Sequence, residues 1–151
     1  MENKLKIKLG DKNDLGDVYF LVKALAKYEK AENEVITNPE EYIQLFKRGL
    51  FRCLVAELDG KTVGMMVFYD AFSTWKGKML WLEDFVVIEE YRRFGIGKKL
   101  FDELISIAKR ENYRLIKWEV LDWNEPAIQF YKKIGAVLET NWWDGKYFLV
   151  E

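Results

Sequence analysis

Leu5, Ile7 and Leu9 alternate with lysines in "KLKIKLG", and that period of two predicts a first strand ending at Gly10. The period then changes. In "DLGDVYFLVKALAKYEKAE" the apolar positions Leu15, Val18, Leu21, Val22 and Leu25 fall at helical spacing. "NPEEYIQLFKRG" predicts a second helix, with Asn38 as its cap, Pro39 at its first position and Gly49 closing it. "FRCLVAEL" and "KTVGMMVFYDAF" read as two strands joined by Asp59-Gly60, a pair suited to a tight hairpin. "KMLWLEDFVVI" is another apolar strand, with Glu83 and Asp84 in its middle. From Gly97 to Glu111 the pattern is helical again, with Leu100, Leu104, Ile107 and Ala108 on one face. "RLIKWEVL" predicts a strand, "NEPAIQFYKKIG" a short helix capped by Asn124 and stopped by Gly135, and "KYFLVE" a last strand. This order predicts one mixed sheet with helices packed on its faces. Neither a repeat nor a Pro/Gly/Ser linker interrupts it, so a single domain over 1–151 is expected, long enough to bury a core.

Composition narrows the function classes. Half the residues are hydrophobic and 32% are charged, an ordinary globular balance. Six Trp, eight Tyr and ten Phe suggest a dense core and a flat-walled groove. The 24 basic and 25 acidic residues nearly cancel, so neither nucleic acid nor a membrane surface is an expected partner. "MENKLKIKLGDKND" lacks the apolar centre of a signal peptide, and a cytoplasmic protein is expected. Cys53, in the apolar "FRCLVAE", is the lone cysteine, which rules out a disulfide within the chain and fits a reducing compartment. There is no histidine. Ser-His-Asp and Cys-His nucleophilic sites are therefore excluded, and no metal site is expected. Any acid or base must be Asp, Glu, Tyr, Lys or water.

"YRRFGIGKKL" lies between a strand ending near Ile88 and a helix starting near Gly97. Small residues there let the chain turn tightly, and the helix start offers unpaired N–H groups and a partial positive charge. Arg92, Arg93, Lys98 and Lys99 add cationic reach suited to a pyrophosphate. A plain strand-to-helix turn would use the same two glycines. No Gly-Lys-Ser/Thr follows, so this is not a Walker loop, and the third glycine of a dinucleotide fingerprint is missing.

"YRRFGIGKKLFDEL" resembles the acetyl-CoA loop of the GNAT family of N-acetyltransferases, with Arg92, Gly95 and Gly97 matching Arg-x-x-Gly-x-Gly. That family often has glycine where this chain has Arg93. The resemblance implies an α/β (α+β) GNAT fold, a central mixed and mostly antiparallel sheet with helices on both faces. It also implies acetyl-CoA as co-substrate, held along Arg92, Arg93, Phe94, Gly95, Ile96, Gly97 and Lys98. "DWNEPAIQFYKKIGA" is similar to the family's Asn-led helix. On that likeness Asn124, Pro126 and Ala127 contact the pantetheine arm, and Tyr131 is the general acid facing the sulfur. The backbone of Phe85, Val86 and Val87 would bind the pantetheine amide and the thioester carbonyl around a bulge, polarising that carbonyl. "LAKYEK", "CLVAE", "STWKGKMLWLEDFVV" and "VLDWNEPAIQFYKKIGA" extend the likeness to the spermidine/spermine N-acetyltransferase group. Ser73-Thr74 before Trp75, and "VLDWN", look like its thialysine Nε-acetyltransferase branch, whereas the polyamine branch carries Asp-Pro at the first site. "EPAIQFY" suits the polyamine branch as well. A homodimer is implied too, and "NWWDGKYFLVE" could supply an apolar contact or be buried in the core.

Acetyl transfer to an amine poses two proton problems. An alkylammonium with a pKa near ~10.4 cannot attack, and the leaving thiolate needs a proton. Glu83 is the candidate base, directly or through water, because partial burial on a strand raises a carboxyl's pKa. Asp84 points to the opposite sheet face if the strand is regular, and reads as structural. Tyr131 follows Asn124 by two helical turns, so both can look toward one ligand. For the amine an acidic pocket with aromatic walls is expected, built from Glu29, Trp75, Glu83 and Glu119. Ser73 and Thr74 could hydrogen-bond the head group of an amino-acid substrate; an Asp there would attract a second ammonium. The expected activity is N-acetylation of a small primary amine by direct attack in a ternary complex, since no reactive Cys or His favours an acetyl-enzyme. A thialysine-like amine leads, a diamine or polyamine follows. A protein N-acetyltransferase and a non-catalytic acyl-CoA-binding module are the rivals.

Overall fold

Asp59 and Gly60 turn the chain with φ of +52° and +81°. Two consecutive positive φ values match the right-handed twist of the strands they join. Those strands are β2 (Arg52–Leu58) and β3 (Lys61–Ser73), and they pair antiparallel. β1 (Leu5–Leu9) lies antiparallel to β2, and β4 (Gly77–Val87) antiparallel to β3. β5 (Leu115–Lys117) adds a parallel edge to β4, giving the order β1-β2-β3-β4-β5. Residues 4–150 of this computed structural model are described.

Alternation along the central strands covers both faces of the sheet. Cys53, Val55, Met65, Val67 and Val86 pack in one cluster with Leu15, Val18 and Leu21 of α1 (Leu15–Tyr28). Tyr42, Ile43 and Phe46 of α2 (Pro39–Lys47) pack against it. The other face meets α3 (Ile96–Arg110), where a Cβ at Gly64 would stand 3.2 Å from Leu100 Cδ1 and the Phe85 ring is 5.9 Å from Phe101. Leu100, Leu104 and Ile107 are fully buried there. The expected helix signals act as read: Asn38 accepts from Glu41 N at 2.8 Å, Pro39 opens α2, and Gly49 follows it at φ +75°.

Two expected strands differ. "RLIKWEVL" forms a ladder over Leu115–Lys117 only, and the next residue, Trp118, sets its ring edge-on to Phe101 at 5.4 Å. No strand forms over 146–150 of "KYFLVE", and Glu151 lies outside the described residues. Tyr147, Phe148, Leu149 and Val150 are all 63–91% exposed. An apolar run becomes a strand only where a neighbour supplies the ladder, and none does so here among the described residues.

The chain forms two compact units that divide between Glu119 and Val120. The second carries α4 (Glu125–Lys133), opened by Asn124 and ended by Gly135 at φ +91°. Among the described residues no helix is long and apolar enough to cross a membrane.

Candidate active site

The β3–β4 ladder skips one residue. Val67 stands opposite Asp84 and Phe68 opposite Leu82, so Glu83 is the extra residue of a bulge. A bulge breaks the alternation of side chains. Glu83 and Asp84 therefore do not part to opposite faces, as a regular strand would require, but both line one cavity of about 310 Å³. Its remaining wall is mostly apolar: Leu45, Leu50, Phe51 and Val67, with Tyr42, Tyr69 and Thr37. An alkyl chain fits such walls, and the two carboxyl groups on β4 suit a cation at its end.

The two carboxyl groups differ. Glu83 Oε2 accepts from Tyr69 OH at 3.1 Å and from Trp81 Nε1 at 2.8 Å, which fixes an otherwise exposed side chain. Asp84 accepts no hydrogen bond from any described group and forms no ion pair. Burial first, then the charges of Glu83 and Glu29, push its carboxyl up to about 7. Glu29 ends α1, and burial raises its own pKa. Tyr69 is pushed up to about 12 by burial, by Glu83, and more weakly by Glu119 and Asp84. Glu29 and Glu83 thus lie within electrostatic reach of Asp84, and Glu119 within reach of Tyr69.

Beyond Val87 the chain turns into α3. Arg93 and Gly95 adopt φ of +74° and +77°, and no side chain caps the helix. The first helical bond runs from Lys99 N to Gly95 O at 3.1 Å, so the N–H groups of Ile96, Gly97 and Lys98 lack intrahelical partners. Such a terminus suits an anion. On the β5 side, the ladder with β4 ends at Trp81–Lys117, while Phe85, Val86 and Val87 pair on the other side with Met66, Met65 and Gly64.

Residues 20–136 match the family described as "Acetyltransferase (GNAT) family". The chain belongs to the GNAT acetyltransferase family. It is accordingly an N-acetyltransferase. The thialysine N-epsilon-acetyltransferase of Bos taurus is 35% identical over 141 residues, covering 86% of this chain and 82% of that protein. A spermidine/spermine N(1)-acetyltransferase-like protein 1 of Homo sapiens is 30% identical over 87% of this chain, a match that spans only 20% of its own length. In fold the chain is similar to an aminoglycoside acetyltransferase from an uncultured soil metagenomic sample, crystallised with trehalose (TM-score 0.82, 23% identity, 97% of each chain). The open five-stranded sheet with helices on both faces is thus the GNAT fold.

Within this GNAT chain, several expected contributors already have partners. Arg92 donates from Nε to Val87 O at 3.0 Å and lays its guanidinium 5.7 Å from the Tyr28 ring centre, bracing the turn. Lys98 pairs with Asp102 at 2.8 Å. All four cations of the loop are exposed, Arg93 and Lys99 included, and so is Phe94. The positive φ at Arg93 explains why glycine suits that position in the family.

Ser73, Thr74 and Trp75 form the β3–β4 hairpin tip, where Ser73 Oγ accepts from Lys76 N at 3.0 Å and Trp75 is 84% exposed. Six residues of β3 separate Ser73 from Val67, about 20 Å at ~3.3 Å per residue. The structure does not bring the tip to Glu83. In the second unit, Asn124 is buried and caps α4 through Ala127 N at 3.4 Å, with Pro126 in the first turn. Tyr131 is buried, its ring 5.7 Å from Phe130. Among the described residues no three His, Cys, Asp or Glu gather as a metal site. Sequence reasoning set Asp84 aside as structural on the opposite face, and it missed Tyr69 and Trp81. A bulge has no signature in a continuous apolar strand, so the signal that could have found them was the bare presence of two adjacent carboxylates in an apolar run.

Proposed function

We propose that this chain is an acetyl-CoA-dependent N-acetyltransferase of small primary amines, with thialysine or another lysine-like amine first and a diamine or polyamine second. The single observation behind this reading is the bulge at Glu83, which sets two carboxyl groups on the wall of a mostly apolar cavity. A thialysine side chain is an apolar arm tipped with an ammonium, and it matches that polarity. The identity to a thialysine enzyme over most of both chains supports the same choice. The polyamine reading draws on the human relative's name.

Acetyl-CoA supplies an activated thioester. For its diphosphate, Arg93, Gly95, Ile96, Gly97 and Lys98 fit, because their turn and helix start present unpartnered N–H groups and exposed cations. Asn124 and Ala127 would hold the pantetheine arm, and the Tyr131 phenol would protonate the departing thiolate, on the family resemblance. Glu29, Glu83 and Glu119 would attract the ammonium. One domain over the whole chain, a homodimer and a cytoplasmic setting complete the proposal, the last supported by the free, buried Cys53.

Thiol release assayed against thialysine, lysine, spermidine and an aminoglycoside tests this. Turnover should be fastest with a lysine-like amine, and Tyr131→Phe should lower kcat while leaving acetyl-CoA binding intact. Acetylation of a peptide panel but of no free amine, or coenzyme binding with no turnover, would overturn the reading.

A further inference from the structure

The two carboxyl groups of the bulge have different surroundings, and one proton transfer cannot use them interchangeably. We propose that Asp84, rather than Glu83, takes the proton from the acceptor's ammonium, while Glu83 holds that ammonium in place. This rests on the acetyltransferase reading above and assigns roles within its site.

Glu83 is held on one oxygen by Tyr69 and Trp81, two donors that fix where its carboxylate points. A carboxylate so held is a good anchor, because its position is fixed. Asp84 stands next in the chain on the same cavity wall, accepts no described hydrogen bond, and is half-buried. The groups facing it are Glu29 at the end of α1, Tyr42 on α2, Tyr69 on β3 and Glu83 on β4. None of the causes acting on its carboxyl is a cation, and all of them disfavour its charge. A carboxyl titrating near 7 is ionised often enough at neutral pH to act and basic enough to accept.

The step balances as follows. Asp84 carboxylate accepts one proton from R–NH3+, and the free amine attacks the thioester carbonyl. A C–N bond forms, the C–S bond breaks, and the thiolate leaves with the electron pair. The second nitrogen proton is lost as the thiolate is protonated, giving the amide and the thiol. Asp84 then returns its proton to water.

The test is the pH dependence of kcat/KM from pH 5.5 to 9.5 for the full chain and for Asp84→Asn and Glu83→Gln, with acetyl-CoA and thialysine. The parent should show an acid limb near pH 7. D84N should lose about 100-fold or more in kcat, in the range of a lost general base, and should lose the limb. E83Q should raise KM and keep the limb, moved to lower pH because one of the charges raising Asp84 is gone. In parallel, 13C NMR of the carboxyl groups in the substrate-free parent should find one aspartate titrating near 7 that is absent from D84N. D84N within threefold of the parent kcat, a limb lost in E83Q instead, or an Asp84 titration near 4 would each overturn the assignment. If D84N does not fold, the E83Q limb and the parent's high-titrating carboxyl decide. A parent that turns over no amine yet titrates near 7 would instead refute the acetyltransferase reading.

Discussion

A carboxyl held neutral up to pH 7 destabilises its own fold, and the size of that effect follows from the site. In the unfolded chain Asp84 titrates near its ordinary value of 3.8, and in the folded chain near 7. Below pH 3.8 both states bind the proton and the group costs nothing. Between about 4 and 7 the unfolded state ionises first, so stability falls as pH rises; above 7 the loss is complete. At 1.36 kcal/mol per pKa unit, a shift of about three units amounts to about 4 kcal/mol. An asparagine has nearly the same shape and no charge. Asp84→Asn should therefore gain little at pH 4, about 1–2 kcal/mol at pH 5 and about 4 kcal/mol at pH 8 relative to the parent. Urea unfolding of both proteins across that range measures the difference, in which carboxylates remote from Asp84 cancel. At ~2–4 °C per kcal/mol the gain at pH 8 is a Tm rise of about 10 °C. A difference that stayed flat from pH 4 to pH 8 would refute the reasoning, whatever its sign.

Three further outcomes are expected. Gly10→Ala would place a Cβ 2.4 Å from Cys53 Sγ, and the bond from Gly10 N to Cys53 O at 2.9 Å prevents the backbone from backing away; the change should cost about 1–3 kcal/mol in urea unfolding, and adding Cys53→Ala should recover part of it. Arg93→Gly relieves a non-glycine φ of +74° worth about 1–2 kcal/mol, offset by the greater freedom of glycine when unfolded; thermal unfolding should show a net gain of up to about 1 kcal/mol, and a clear loss would mean that the side chain holds the turn. Ser73→Asp keeps an acceptor for Lys76 N and adds a charge about 20 Å along the sheet from Glu83; the kcat/KM ratio of spermine to thialysine should rise through spermine alone, and an unchanged ratio would remove the hairpin tip from acceptor choice.

How much of this was legible depended on whether a feature is written in local chemistry. Asp59-Gly60 adopts positive φ because few other pairs tolerate it, and Asn38-Pro39 starts a helix because cap and ring suit its first turn. The alternation of Cys53 and Val55 toward α1 follows from the pleat alone. The bulge does not. It arises from how thirteen residues of β3 meet eleven of β4, and no residue type at Glu83 announces it. For the same reason the pairing of Asp84 with Glu83 on one wall could not be read, since alternation predicted the reverse. Arg92 was legible as part of a phosphate loop, yet its partners Val87 and Tyr28 come from β4 and α1, and spacing within the motif says nothing of either. The absent strand after Lys146 failed differently: its apolar pattern is real, but a strand is a property of two neighbours.

Left-handed Lys30 and Asn112 and a register shift at Ala56–Glu57 lie elsewhere, but three departures from local consistency fall close together on β4 and the turn after it. The extra residue at Glu83, the raised carboxyl of Asp84 and the left-handed Arg93 lie within eleven residues, and each destabilises the fold. Elsewhere in the same strands the polar groups are satisfied. Arg52 on β2 reaches Glu111 beyond α3 at 3.0 Å and donates to Tyr113 OH at 3.0 Å, Tyr113 donates to Asp70 on β3, and Lys78 on β4 lies 4.0 Å from the Tyr113 ring centre. That network ties three strands to the segment after α3. Burial and the bond to Asp70 push the Tyr113 phenol up to about 12, so it keeps its proton and goes on donating across the range where Asp84 titrates. One part of β4 is thus locked through a phenol that keeps its proton, and the other is built around a carboxyl pushed up to about 7. A sheet with no acid–base work to do would have no use for that asymmetry, because an apolar residue at position 84 would pack the cavity wall without the loss of stability.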